Sequence, residues 1–264
     1  MSRSAVRTSK AGIITVNSEN ISKCGFFCVS DPKHPGYEKK LQWLKKRFKE
    51  GLSIKLLFPP GEKKAAGFIE YIPGEHAWRP VDAKGYMMIH CIFIDKRANK
   101  GRGYGSLLLE QCIYDARSQG MKGVAVVASE GTWMASPDLF IKNGFEVVDE
   151  TPPHFKLLAR KFGKSSLLKF VGDRGRTPAK YKGLNLVYTH QCPFSARFLK
   201  DIEEFAEEAG LKLKATNLRT SKEAQNAPCA YGTFTLVHNG KVVADHPISR
   251  SRFRNIVRKE LKLI

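Results

Sequence analysis

The stretch Tyr-Met-Met-Ile-His-Cys-Ile-Phe-Ile-Asp (86–95), Lys-Arg-Ala-Asn-Lys-Gly-Arg-Gly-Tyr-Gly (96–105), continuing through Ser106 to Gln119, decides how the chain is read. Its apolar opening predicts a buried strand, its basic glycine-rich middle a turn, and the spacing of Leu107, Leu108 and Ile113 a helix. A strand that feeds a glycine loop at a helix start forms an anion cradle. The first N–H groups of a helix lack intrahelical partners, and the helix dipole is positive there. Gly101, Gly103 and Gly105 remove side chains that would hold a phosphate away. Lys100 and Arg102 add formal positive charge. Glycines alone are equally compatible with a tight capped turn; the apolar strand before them and the apolar helix face after them favour a phosphate-bearing ligand.

The 264 residues suffice for one large or two ordinary domains, and 42% apolar content supports real cores. A net charge of +20 favours anionic partners: a phosphorylated cofactor, an acidic substrate or nucleic acid. Residues 163–264 carry 19 Lys/Arg against 9 Asp/Glu and the remainder 26 against 16, so each part carries +10. The basic character is therefore general rather than confined to a tail, and a solubility origin stays open. The N-terminal residues lack the apolar core of an export signal, and no run reaches the ~18 apolar residues of a membrane span. A cytoplasmic protein is expected, with Cys24, Cys28, Cys91, Cys112, Cys192 and Cys229 as free thiols.

Outward from the central stretch, strands are predicted at 13–16, 53–58, 65–72, 123–128, 145–148 and 155–160. Helices are predicted at 37–49, with Leu41, Leu44 and Phe48 inward, and at 136–143. Residues 53–58 and 65–72 form a hairpin across Pro59-Pro60-Gly61-Glu62. The order of these elements around the glycine loop resembles the GNAT acetyltransferase superfamily. Lys100-Gly101-Arg102-Gly103-Tyr104-Gly105 is similar to that family's Gln/Arg-x-x-Gly-x-Gly/Ala motif, and Phe140-Ile-Lys-Asn-Gly144-Phe145 to its Tyr-x-x-x-Gly-Phe. The resemblance covers about residues 12–162.

Residues 163–182 hold six basic residues and one acid and read as a solvated basic linker, with an RNA or phosphate contact as the alternative. A second unit follows: a strand at 184–188, Thr189-His190-Gln191-Cys192-Pro193-Phe194-Ser195, a helix at 196–209, a strand at 211–215, a hairpin across Asn239-Gly240 and a basic helix at 249–261. This order, with Cys-Pro at a helix start, resembles the thioredoxin/glutaredoxin fold, although Gly232-Thr233 stands where that family has Pro-Thr. The pairing is similar to YoaP-like acetyltransferases. The implied fold class is α/β (α+β): a GNAT domain at 1–162 with a mixed, mostly antiparallel sheet flanked by helices, a linker at 163–182, and a smaller thioredoxin-like α/β domain at 183–264.

The resemblance implies an acetyl-CoA (or other acyl-CoA) site. Ile92, Phe93 and Ile94 would offer their strand edge to the pantetheine arm. Gly101, Arg102, Gly103, Tyr104, Gly105 and Ser106 would hold the pyrophosphate, with Arg97, Lys100 and Arg102 as cationic partners. A small-molecule or peptide amine would attack the thioester, with strand N–H groups stabilising the oxyanion. Phe140 takes the place of the family's proton-donating tyrosine, and Trp133 that of a frequent asparagine. His90 is either the general base or a hydrogen-bonded core histidine. Glu70 and Glu130 are alternative bases, and Tyr86 and Tyr104 possible proton donors. Cys91, alternating with His90, is expected in the core on the opposite face. Cys192, at a helix start near His190, is either a stabilised thiolate or a buried thiol, with Cys229 as a resolving partner. Cys24 and Cys28 lack a second ligand pair, so no metal is expected. Two other functions remain open: a basic RNA- or tRNA-associated protein, and thiol redox or capture through Cys192.

Overall fold

The computed structural model describes residues 11–95, 99–131, 133–164, 168–171 and 181–264. The elements run β1 (Gly12–Val16), α1 (Ile21–Cys24), α2 (Tyr37–Phe48), β2 (Ser53–Phe58), β3 (Gly67–Pro73), β4 (Val81–Asp82), β5 (Met87–Ile94), α3 (Tyr104–Ser118), β6 (Gly123–Ala128), α4 (Pro137–Ile141), β7 (Glu146–Thr151) and β8 (Phe155–Lys161). They continue as β9 (Lys169–Phe170), β10 (Leu184–Tyr188), α5 (Ser195–Glu208), β11 (Leu213–Asn217), α6 (Ser221–Gln225), β12 (Phe234–His238), β13 (Lys241–Ala244) and α7 (Arg250–Asn255). Among the described residues no helix is long and apolar enough to cross a membrane.

The first sheet has the order β1-β2-β3-β5-β6-β8-β7, antiparallel except where β5 and β6 run parallel. Two irregularities on β5 shape it. Glu70 of β3 lies opposite Cys91 while Tyr71 lies opposite Ile89, so His90 is an extra residue, a β-bulge. A bulge resets the two-residue alternation. Met87 and Ile89 before it, and Ile92 after it, pack in one core with α3, whereas Met88 faces the other side. In addition, β5 pairs with β6 only from Met87–Val124 to Ile89–Val126. Beyond that point the two strands part, and among the described residues the β6-facing edge of β5 has no ladder partner.

The second sheet has the order β11-β10-β12-β13. β10 and β11 are parallel, and the other pairs antiparallel. Asn239 and Gly240 both take positive φ (48° and 76°) at the β12–β13 turn, the geometry a tight hairpin demands. The apolar interior runs across both sheets: one cluster joins Met88, Ala125 and Leu157 to Leu186, Phe234 and Phe253. Another joins Trp43 and Trp78 to Val187 and Val237.

Two expectations need correction. The inward face of α2 is wider than expected: Lys40, Trp43, Leu44 and Arg47 are buried, and Leu41 and Phe48 pack partly buried against the same core. Trp43 and Trp78 meet edge to face at 5.2 Å, and the Arg47 guanidinium lies 4.9 Å from the Trp78 ring. The 163–182 segment is not solvated throughout. β9 pairs with β4, and Leu168 and Phe170 are buried. Residues 165–167 and 172–180 lie outside the described residues.

Candidate active site

The parting of β5 from β6 opens a cavity between the two sheets. It takes in about 630 Å³, counting space open to solvent. The first sheet lends it Glu70, His90, Cys91 and Ile92 on one side and Val126 and Val127 on the other. Helix α2 lends Lys40, and the loop after β3 lends Arg79. The second sheet contributes Gln191, Cys192, Tyr231 and Thr233 from its loops. The approach is close: a Cβ on Gly36 would stand 1.9 Å from the carbonyl oxygen of Pro193. Trp133 covers one rim, its ring 6.1 Å from that of Phe194 and 5.7 Å from that of Phe198.

A buried polar relay crosses the cavity. Arg79 donates through Nη1 to Gln191 Oε1 at 2.8 Å and to the Trp78 carbonyl at 2.9 Å, and through Nη2 to the His90 carbonyl at 3.0 Å. Gln191 Nε2 donates to Glu70 Oε1 at 3.3 Å, which fixes the orientation of the amide. Glu70 Oε2 meets Lys40 Nζ at 2.5 Å, with both side chains only 2% exposed. Burial pushes the Glu70 carboxyl up, but the Lys40 ammonium and His90 more than offset it, and its pKa falls to about 2. Glu70 is therefore an anion held by a cation.

His90 sits beside this pair. Its Nε2 accepts the Trp78 N–H at 3.0 Å, so the ring proton is on Nδ1, 3.5 Å from Glu70 Oε1. Burial outweighs the attraction of Glu70 and lowers the His90 pKa to about 4. Its lone pair accepts the Trp78 N–H, the arrangement of the hydrogen-bonded core histidine among the two readings of this residue.

The thiols also depart from expectation. Cys91 is exposed to the cleft rather than buried in the core, because the bulge returns it to the His90 face. Cys28, Cys91 and Cys192 all line the cavity. Desolvation raises the Cys28 and Cys192 thiols. Phe194 and Ser195 N–H groups and Lys40 only partly counter this at Cys192. His190 gives no positive charge there, since burial lowers its pKa and its Nε2 is engaged with the Asn217 amide at 3.0 Å. Burial thus outweighs the groups that would stabilise a Cys192 thiolate. The thiols sharing its cavity are Cys28 and Cys91, whereas Cys229 packs in the apolar core.

Of the other candidates, Glu130 is exposed and accepts from Ser136 Oγ at 3.0 Å, apart from the cavity lining. Tyr86 is core, and Tyr104 packs against the α3 cluster. Phe140 is wholly buried, packed on Phe145 at 5.6 Å, and lines the cavity with no proton to give. Tyr231 of the second unit, a residue without a motif to flag it, brings a phenol into the same space. Burial raises its pKa, so it keeps its proton. Lys40 was equally hidden, one lysine among several on a helix. No group of metal-ligating residues occurs among the described residues.

The glycine loop stands at the start of α3. Gly101 and Gly103 both take φ of 77°, where a side chain is strained, and a Cβ on either would meet nothing within 4 Å. The N-cap of α3 is Gly103, which makes no side-chain cap bond, and Lys100 and Arg102 are exposed beside it. Gly105 lies inside the helix against Leu139. Phe93 is exposed past the bulge and Ile92 and Ile94 lie on the α3 side. Arg97 lies outside the described residues.

Comparison with known proteins agrees with this geometry. Residues 22–145 match the acetyltransferase (GNAT) family and residues 212–255 the YoaP-like family. The uncharacterized N-acetyltransferase YoaP of Bacillus subtilis (strain 168) is 31% identical over 250 residues, 92% of this chain and 97% of that protein. Among solved structures, PaiA N-acetyltransferase from Thermoplasma acidophilum in complex with coenzyme A is 13% identical with a TM-score of 0.41, covering 58% of this chain and 99% of that one. N-acetyltransferase PseH from Campylobacter jejuni is 16% identical with a TM-score of 0.40, covering 58% and 99%.

Proposed function

The chain belongs to the GNAT acetyltransferase family, among its YoaP-like members, and from that premise we propose that it transfers the acyl group of an acyl-CoA, acetyl-CoA foremost, to an amine of a small molecule or peptide. The observation that carries this reading is the free β5 edge opening into a buried polar cavity. The chain's residues fit such a ligand. The unobstructed positions at Gly101 and Gly103, the start of α3 at its Gly103 N-cap and the charges of Lys100 and Arg102 suit a pyrophosphate. Ile92, Phe93 and Ile94 would present backbone groups to an extended arm. When bound, the thioester supplies an activated carbonyl and a thiolate leaving group.

The remaining work falls to side chains. A β5 N–H beyond the bulge would donate to the carbonyl oxygen as negative charge grows on it. The Glu70 carboxylate would seat an acceptor ammonium, and its low proton affinity makes it an orienting group that passes the proton on to water. Tyr231 would donate its phenolic proton to the departing sulfur, a role Phe140 cannot fill. The second unit, whose parallel β10–α5–β11 and antiparallel β12–β13 hairpin support a thioredoxin-like reading, would thus serve as a wall of the acceptor site. We place the domain boundaries at 162 and 183 on the same ground. The free cysteines suit a reducing compartment, and we place the protein in the cytoplasm.

Titration calorimetry with acetyl-CoA tests the first step. Saturable binding is expected, and no heat at near-millimolar cofactor would refute the reading. A thiol-release assay over a panel of primary amines then identifies the acceptor class.

A further inference from the structure

We propose that Lys40 is itself an acyl acceptor, so that an acyl-CoA docked on the β5 edge leaves its acyl group on Lys40 Nζ. This rests on the acyl-CoA reading above and adds a covalent modification site within the same cavity.

Three observations carry it. First, Lys40 differs from the other lysines of its helix. Lys39, Lys45 and Lys46 are exposed, whereas Lys40 is 2% exposed and turned inward on the Trp43–Leu44–Arg47 stripe. Second, its amine borders the cavity that Cys91 and Ile92 of the free β5 edge also border. It is held there by Glu70 at 2.5 Å and lies 4.4 Å from the Trp43 ring centroid. An amine fixed by a carboxylate beside a thioester-docking edge has the arrangement of a bound acceptor. Third, a buried ion pair is weak evidence of a stabilising role: two buried charges give up much of their attraction in desolvation, and apolar replacement is often neutral or better.

The step balances without a further reagent. The Lys40 ammonium loses a proton to water by way of Glu70, and its lone pair attacks the thioester carbonyl carbon. The C–N bond forms, the C–S bond breaks, and the thiolate leaves with the sulfur electron pair and takes up a proton. The products are an Nε-acyl-lysine, free CoA and one proton released. The amide is neutral, so Glu70 loses the cation that faces it and keeps only Gln191 and His90. An incoming ammonium would then find a carboxylate without a counter-ion, which makes the acylated chain the receptive form of the site.

The test uses the full-length wild-type protein and acetyl-CoA. Calorimetry first records binding. The same mixture, sampled over time, is digested and its lysines mapped by tandem mass spectrometry. The expected result is one acetyl group per chain at Lys40, appearing ahead of any at Lys39, Lys45 or Lys46, and slowed about tenfold or more in Glu70→Gln. Binding without acetylation of Lys40 would overturn this inference and leave the acyl-CoA reading standing. Acetylation of Lys40 no faster than of its exposed neighbours would overturn it too, as spontaneous chemistry. Absence of binding would remove both.

Discussion

His90 accepts the Trp78 N–H at Nε2 and has a proton affinity well below that of a free imidazole, and this sets how the protein answers acid. Its pKa is about 4 in the folded chain against 6.5 unfolded. The unfolded chain takes up a proton through that window which the folded chain refuses. Stability is therefore complete above pH 6.5 and falls as pH drops toward 4, by about 3 kcal/mol from this residue. Glu70, lowered from 4.5 to about 2, extends the loss in the same direction below pH 4.5. Urea denaturation across pH should show the decline, and His90→Gln should flatten the portion between 6.5 and 4. The same variant should retain acyl transfer within about tenfold, since a true general base would cost a hundredfold or more. Tyr231→Phe should instead lower turnover about tenfold to a hundredfold with little change in melting temperature. Lys40→Met is expected to cost about 3–5 kcal/mol by leaving Glu70 buried without its cation, most of it regained in Lys40→Met with Glu70→Leu.

At the scale of elements, α3 and its loop are the most sensitive segment. Gly103 has φ of 77° and opens α3, so Gly103→Val strains the backbone by about 1–2 kcal/mol and places a side chain where the pyrophosphate is proposed to lie. Calorimetry should show acetyl-CoA affinity reduced at least about tenfold, with far-UV dichroism unchanged. This loop was legible in sequence because glycine conformation and helix-start charge are local. So were β2, β3, β6, β8 and the Asn239-Gly240 hairpin, each set by apolar runs and turn residues. The bulge was not legible. Nothing in Met-Met-Ile-His-Cys-Ile (87–92) marks the residue where alternation resets, since that is decided by how Glu70 and Tyr71 register across the ladder. The whole placement of Cys91 turned on it. The part of Trp43 in the inward face of α2 was missed for a related reason: it packs against Trp78, a residue from another element.

At the scale of the molecule, the cavity is built by both units, and it could not be read from either alone. Gln191 reaches Glu70 across 121 positions and Arg79 across 112. Its neighbour Cys192 carried a motif, and Gln191 carried none. The close seat of Gly36 on Pro193 offers a way to pry the units apart. Gly36→Val should let a maleimide alkylate Cys28 and Cys192 faster than in the wild type, where both thiols are partly enclosed and desolvation raises them. Acetyl-CoA affinity should stay close to wild type, because the glycine loop lies on the first unit. The Arg79–Gln191–Glu70 relay also makes a claim about descent. One amide joins a guanidinium and a carboxylate at once, so replacing Arg79 or Glu70 takes from Gln191 the partner at one end of its amide. Across an alignment of YoaP-like chains the three positions should therefore change together or not at all, and lineages that have shed the second unit should have replaced Arg79 as well.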